Sequence, residues 1–179
     1  IGMLSVPLFF LMGAMLSGQL VDIRLKLHKK PKYFIVFGLL FSLLLLVTIG
    51  GFNGYFGKFG DPLEETHGLY LLAILCLICG MQNGTITTVS KSVVRTTHLT
   101  GITTDLGIGL VRVLNSRALQ GKVEEDVKAN FMRAGIIFFF GFGSVVGALT
   151  FLHLGFRGFL LPTAISGVLF TCSLYFQTH

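Results

Sequence analysis

The chain has 179 residues, of which 53% are hydrophobic and only 12% are charged, and its mean hydropathy is +0.80. A soluble domain carries about 25% charged residues, so this composition excludes an ordinary soluble protein and indicates a single transmembrane domain over 1–179. The basic residues behind the net charge of +6 lie beside apolar runs, where anionic lipid and topology explain them. We therefore expect the lipid bilayer, and no nucleic acid, as the partner.

Five apolar segments are long enough to cross the hydrocarbon layer, which takes about 20 residues. Inside a membrane every backbone polar group must be bonded within the protein, so these segments should be helices, and the alternation of barrel strands is absent. The sequence predicts an all-α membrane protein, a polytopic bundle with spans at 3–22, 33–52, 69–89, 134–153 and 158–176.

The charges of the connecting segments predict an orientation. Segments 22–32 and 90–133 carry net charges of +4 and +3, whereas 53–68 carries −2. By the positive-inside rule the first two are cytoplasmic and the third is periplasmic or external, so we expect a multi-pass protein of the inner (cytoplasmic) membrane. Only Arg157 falls on the wrong side. This orientation places residue 1 outside, so we expect one further helix upstream and six helices in the intact protein.

Two short segments echo later ones about 130 residues further on. The run from Phe10 to Ser17 resembles 140–147, and the run from Phe37 to Ser42 resembles 166–171. The two halves would have opposite orientation, as in many small transporters. We therefore predict a 3+3 inverted repeat, with 1–68 as the remainder of the first repeat and 69–179 as the second.

Small residues spaced four apart occur in both segments of the first pairing, as Gly13 with Ser17 and Gly143 with Gly147. Such pairs allow helices to approach closely, and packing is the simpler interpretation. Cys76 and Cys79 form a C-x-x-C pair inside an apolar run. Without a second ligand pair it indicates packing, so we expect neither a metal site nor a cofactor.

The most polar stretch follows the third span, where ten of the twenty residues from Thr85 to Thr104 are Ser or Thr. Gly101 and its β-branched neighbours disfavour a helix, so we expect a break there. Thr103, Thr104 or Asp105 would then be the N-cap of a short helix at 106–117. Twelve residues cannot span a membrane, which predicts a broken or re-entrant segment near 95–117.

Polar side chains near this break form the candidate binding site. A helix N-terminus beside Arg95 and His98 would suit an anionic or hydroxyl-bearing ligand, and His98 with Asp105 could couple protons. The predicted ligand-binding residues, with two amides of the third span that should face the bundle interior, are Gln82, Asn83, Arg95, Thr96, Thr97, His98, Thr100, Gly101, Thr104 and Asp105.

Simpler interpretations remain open for both groups. The amides could only tie helices together, and 95–105 could be a cytoplasmic loop whose threonines cap helices while Arg95 meets lipid phosphate. The segment 120–130 has the composition of a solvated linker or surface helix, and we expect no chemistry there.

Three motifs, Gly80-Met-Gln-Asn-Gly84, Val94-Arg-Thr-Thr-His-Leu-Thr-Gly101 and Thr104-Asp-Leu-Gly107, resemble the YoaK-like family of small bacterial membrane proteins of unknown function. The resemblance implies six membrane helices and an earlier copy of the motif, which would make 95–105 the second copy. Ile102 and Thr88 depart from the family pattern, where Asn and Arg are usual. Both departures remove polar groups, and the resemblance implies no substrate.

The leading functional hypothesis is therefore a transporter or permease of a small solute, with a polar Thr/Arg/His/Asp site. The alternative is a structural or accessory subunit of a larger membrane complex, with homo-oligomers or complex partners. Ser90, Ser92 and His98 lack a Gly-x-Ser-x-Gly elbow, and no His-x-x-x-His pair is present, so we expect no enzyme.

Overall fold

The structure is a computed structural model that describes residues 5–60, 66–90, 99–118 and 123–178. Within these ranges the regular elements are all helical. A π-helical turn, Gly18–Asp22, links the first two α-helices, and a 3-10 turn, Gly155–Phe159, links the last two. The α-helices are α1 (Ser5–Ser17), α2 (Ile23–Lys26), α3 (Tyr33–Phe52), α4 (Thr66–Val89), α5 (Leu99–Leu114), α6 (Glu124–Leu154) and α7 (Leu160–Thr178).

Among the described residues, four helical stretches are long and apolar enough to cross a membrane, namely Val6–Lys26, Tyr33–Phe52, His67–Val89 and Glu124–Gln177. The last contains two helices, because the chain bends at Gly155–Phe159, where Gly155 has a φ of +53° that favours glycine. The prediction of a polytopic helical membrane protein is confirmed. At about 1.5 Å per residue, the 20 residues of α3 match a hydrocarbon layer of about 30 Å.

One sequence-based boundary is wrong. Helix α5 begins at Leu99, so Gly101 does not break it, and Thr103, Thr104 and Asp105 lie inside the helix and not at its N-cap. The Oγ1 atoms of Thr103 and Thr104 donate to carbonyl oxygens one turn earlier, at 2.8 and 2.9 Å, which accommodates threonine within a helix.

For the segment 120–130, the sequence left a solvated linker or a surface helix open. From Glu124 onward the structure has a helix, and this helix continues to Leu154. The acidic residues of its first turn, Glu124, Glu125 and Asp126, favour a helix start there because they oppose the positive end of the helix dipole.

Helices α1 and α4 pack backbone against backbone. A Cβ atom on Gly13 would collide with the carbonyl oxygen of Leu77, and one on Gly80 would collide with that of Phe10. The contacts advance together along both helices, since Ser17 contacts Gly84 and Thr85 further on. The two helices therefore run in the same direction and touch through their small residues.

Helices α3 and α7 run in opposite directions and make reciprocal contacts. A Cβ atom on Gly38 would lie 2.9 Å from Cε2 of Phe170, and one on Gly167 would lie 3.1 Å from Cε2 of Phe41. The two phenylalanine rings stack between these positions, with centroids 6.3 Å apart and planes 13° apart. Each helix thus presents a glycine to the aromatic ring of the other.

Hydrogen bonds at the two ends of this pair follow the same pattern. The hydroxyl oxygens of Thr48 and Thr163 are 2.9 Å apart, and the Phe34 amide donates to Gln177 Oε1 at 3.4 Å. Position 34 of α3 corresponds to position 163 of α7, and position 48 to position 177, when 129 is added to the residue number. Each of the two hydrogen-bonded pairs is therefore the counterpart of the other. The same shift exchanges the two glycine–phenylalanine contacts.

The hydrophobic core lies where α3 and α4 meet the π-helical turn and the 3-10 turn. The completely buried apolar side chains are Val21, Val36, Val47 and Met81. At one end, Phe59 packs against Phe151 and Phe156, with ring centroids 5.9 and 5.3 Å away, and this fixes the 53–60 loop on the 3-10 turn.

Candidate functional site

A cavity of about 410 Å³ lies between α3, α4 and α7. Each helix contributes residues at helical spacing, so that one face of each forms a wall. The lining residues are Phe37, Leu40 and Leu44 from α3, Ile78, Gln82, Thr85 and Ile86 from α4, and Pro162, Ile165, Ser166 and Leu169 from α7. The volume lies within the range of small-molecule sites, and the wall is mostly apolar with a few polar groups, as is usual for such sites.

Gln82 brings the largest hydrogen-bonding capacity to this cavity. Its amide carries two N–H donors and one oxygen acceptor, and its side chain makes no hydrogen bond within the part of the chain that the structure describes. The residue is exposed, although it lies within a membrane-spanning helix. An amide at membrane depth requires a hydrogen-bonding partner, and a bound molecule with a carbonyl or hydroxyl group would supply that partner to Gln82.

The Thr85 hydroxyl, which also lines the cavity, donates its proton to the backbone of its own helix. It donates to the carbonyl oxygen of Met81 at 2.9 Å, and its oxygen is also 2.9 Å from Ser17 Oγ. Since a hydroxyl has only one proton, Ser17 donates to Thr85. Both residues are buried, so this bond joins α1 to α4 directly beside the cavity.

Thr48 and Thr163 make three hydrogen-bonding contacts but have only two hydroxyl protons. Thr48 Oγ1 is 2.8 Å from the carbonyl oxygen of Leu44, Thr163 Oγ1 is 2.7 Å from that of Phe159, and the two hydroxyl oxygens also face each other. Because each hydroxyl donates only one hydrogen bond, one of the three contacts always lacks a donated proton. Nearby, buried Ser166 donates to the Thr163 carbonyl at 2.9 Å, which leaves its oxygen as an acceptor toward the cavity.

The chain matches the model of the family described as "Protein of unknown function (DUF1275)" over residues 2–172. It belongs to this family. No curated protein and no solved structure matches the chain. The match agrees with a membrane protein of unknown function, whereas the YoaK-like name suggested by the motifs stays a prediction. Membership in DUF1275 supplies no activity or substrate, so function rests on the geometry.

The predicted site residues divide into three groups in this DUF1275 chain. Gln82 lines the cavity, and Asn83 is half-buried on α4 beside it in sequence. Arg95, Thr96, Thr97 and His98 lie outside the described residues, so their part of the site stays a prediction. Thr100, Gly101, Thr104 and Asp105 are exposed on α5, and no residue of that helix lines the cavity.

A second polar group connects α5 to α6. Asn130 is 6% exposed and packs on Gly109, where a Cβ atom would collide with its amide. Arg133 Nη1 donates to Asn130 Oδ1 at 2.9 Å and to the backbone oxygen of Asp105 at 3.3 Å. Arg112 and Asp126 form an ion pair at 3.3 Å. The prediction of an ordinary solvated segment at 120–130 is therefore wrong for Asn130.

Sequence reasoning also missed the buried hydroxyls of Thr48, Thr163 and Ser166, and it assigned Ser17 to packing without its hydrogen bond. Single hydroxyl residues are common in apolar helices, where they bond to their own backbone, so each alone carries little signal. The positions exchanged by the 129-residue shift, which include Thr48 and Thr163, were the available clue.

Proposed function

We propose that the chain is a small transporter that carries an uncharged solute through the cavity between α3, α4 and α7. The observation that carries the proposal is the cavity itself, about 410 Å³ in volume and bounded by three membrane-spanning helices, with the Gln82 amide in its wall. We place the protein in the bacterial inner membrane, as the resemblance to a bacterial family implies, with 22–32 on the cytoplasmic side because of its loop charges.

The chemistry of the wall supports a neutral solute. The described residues that line the cavity include no Asp, Glu, Lys, Arg or His. A charged solute at membrane depth requires an opposite charge or many dipoles, whereas one amide and two hydroxyls suit a molecule with one or two hydrogen-bonding groups. An anionic ligand would need Arg95 and His98, and their contribution stays a prediction.

The reciprocal contacts of α3 and α7 support the inverted repeat. A two-fold axis perpendicular to two antiparallel helices exchanges them, and it would exchange the Gly38–Phe170 contact with the Gly167–Phe41 contact. The transporters built from inverted repeats bind their substrates where the two repeats meet. The cavity borders the α3–α7 pair, which is where the substrate site of an inverted-repeat transporter is expected.

Uptake into proteoliposomes tests the proposal. The panel contains three neutral solutes (glycerol, urea and alanine) and three charged ones (succinate, phosphate and putrescine). We expect uptake of a neutral solute, reduced about two- to tenfold by Gln82→Leu, the factor for one neutral hydrogen bond. Gln19→Leu is the matched control, because Gln19 is exposed and does not line the cavity. Equal uptake by both variants, or uptake of charged solutes alone, contradicts the proposal.

A subunit of a larger membrane assembly is the second candidate, and the outward face of α6 favours it. Gly143 and Gly147 lie one turn apart on this face, and added Cβ atoms on them would meet no atom within 4 Å among the described residues. Phe138, Phe139 and Phe142 of the same helix are 59–69% exposed. A glycine face of this kind can hold a further membrane helix at short distance.

Purification in mild detergent tests this candidate. We expect a stoichiometric partner chain or a dimer, which Gly143→Leu dissociates by filling the open face of α6. A monomer whose mass is the same before and after the substitution contradicts a role in assembly. Uptake by that monomer in proteoliposomes would leave the transporter proposal intact.

A further inference from the structure

A second cavity, of about 430 Å³, lies at the end of the bundle where α3 begins and α7 ends. Its wall is largely apolar and aromatic, and one cationic side chain, Lys30, lies at its edge. The lining residues are Lys30, Pro31, Tyr33, Phe37, Leu169, Cys172, Ser173, Phe176 and Gln177. The cavity therefore joins an apolar space to the basic segment 22–32.

Gln177 holds the polar edge of this cavity in place. Its Nε2 atom donates to the carbonyl oxygen of Pro31 at 2.6 Å, and its Oε1 atom accepts from the Phe34 amide at 3.4 Å. The side chain thus connects the end of α7 with the start of α3. The position of Lys30 beside the apolar wall follows from this link, since Lys30 precedes Pro31 in the chain.

The basic segment itself has a defined backbone. The His28 amide donates to Leu25 and the Lys29 amide to Arg24, at 3.0 and 2.8 Å, while His28 has a φ of +54°. These two bonds form the Schellman arrangement that ends a helix. In addition, Arg24 Nε donates to the carbonyl oxygen of Lys30 at 2.8 Å, which keeps that guanidinium near the edge of the cavity.

Most of the positive charge here is without an acidic partner. Lys26 pairs with Asp22 at 2.9 Å. Arg24, Lys29, Lys30 and Lys32 have no carboxylate partner among the described residues. A cluster of cations beside an apolar cavity is complementary to a molecule that has one phosphate and a long hydrocarbon chain.

We propose that this cavity binds an anionic phospholipid, with its phosphate at Lys30 and one acyl chain along Phe37, Leu169 and Phe176. Basic pockets between membrane helices are suited to anionic headgroups, and the apolar wall accepts the chain. The site lies at the end of the α3–α7 pair, so the lipid would hold the two antiparallel helices together. Phe37 and Leu169 also line the first cavity, so the acyl chain would lie against the wall of the proposed solute site, but the test of lipid binding does not require transport.

Because the chain has no tryptophan, a single introduced tryptophan reports on its own surroundings. The Phe176→Trp variant is reconstituted in phosphatidylcholine vesicles with brominated phosphatidylglycerol or brominated phosphatidylcholine as fluorescence quencher. We expect the anionic lipid to bind about fivefold more strongly at this position, the factor for one lysine near an anionic lipid. Phe139→Trp on the exposed face of α6 is the control, and there we expect no preference.

Two charge variants separate the cavity from the general surface charge. Lys30→Gln, added to Phe176→Trp, should abolish the preference, whereas Lys29→Gln should retain most of it. Both remove one exposed charge, but only Lys30 lines the cavity. The proposal is overturned if both tryptophan positions show equal preference, or if Lys29→Gln reduces binding as much as Lys30→Gln. Helical circular dichroism of each variant establishes that it is folded.

Discussion

Two helices carry the same spacing of small residues, yet the structure uses them differently. On α1, Gly13 and Ser17 face α4 so closely that an added Cβ atom on Gly13 would collide with the backbone. On α6, added Cβ atoms on Gly143 and Gly147 would meet nothing within 4 Å among the described residues. The spacing permits close packing, but the partner helix decides whether the packing occurs.

The difference also concerns hydrogen bonding. Ser17 bonds to Thr85 across the α1–α4 contact, whereas the position on α6 that corresponds to Ser17 is Gly147, which has no side chain. The two faces are therefore related in sequence but not in environment. Substitutions at each contact should lower the free energy of unfolding by amounts that depend on how closely the helices approach there.

The largest effect is expected for Gly13→Ala. The new methyl group would meet the Leu77 carbonyl, and because backbone atoms cannot move aside, α1 and α4 must separate. Overpacking of this kind costs about 3 kcal/mol or slightly less. Unfolding in mixed micelles, followed by circular dichroism, measures the change in the free energy of unfolding.

Gly143→Ala is the matched control for this substitution. Here the methyl group enters open space, so only the greater helix propensity of alanine acts, and stability should stay the same or rise by up to about 1 kcal/mol. The two substitutions are chemically identical, but only Gly13→Ala should lower the free energy of unfolding. A loss at Gly143 as large as that at Gly13 would show that the α6 face is covered.

An intermediate effect is expected for Gly38→Ala and Gly167→Ala. Their Cβ atoms would lie 2.9 and 3.1 Å from ring carbons of Phe170 and Phe41, and a ring edge can shift where a backbone cannot. We expect each to cost about 1 kcal/mol, and the two costs to be similar because the contacts are reciprocal. Very different losses in the same unfolding experiment would argue against the two-fold relation.

The smallest effect is expected for the Ser17–Thr85 hydrogen bond. Double-mutant cycles inside membrane proteins average about 0.6 kcal/mol per interhelical bond. A cycle with Ser17→Ala and Thr85→Val should give a coupling free energy near that value. A coupling indistinguishable from zero would mean that the close approach of the glycines alone holds α1 to α4.

The sequence predicted the helical class and the apolar segments that form helices, because apolar length alone forces helices in a membrane. It predicted five separate spans, whereas the described residues form four spanning stretches, the last of which contains two helices. It placed the start of α5 wrongly, since threonines that bond to their own helix, such as Thr103 and Thr104, do not break it. Asn130 was missed because its burial depends on Gly109 of another helix, which no local pattern reveals. The cavity at Gln82 likewise requires three helices to meet.

The central claim is that these helices cross a membrane with the 53–60 loop and the 3-10 turn at one end and the basic segment at the other. Labelling with a membrane-impermeant maleimide on sealed vesicles of known orientation tests it most directly. Single cysteines replace Lys30, Lys58 or Arg157, all exposed, after serine has replaced the native Cys76, Cys79 and Cys172. The fold predicts that positions 58 and 157 react from one side and position 30 from the other. Reaction of positions 30 and 58 from the same side would contradict it.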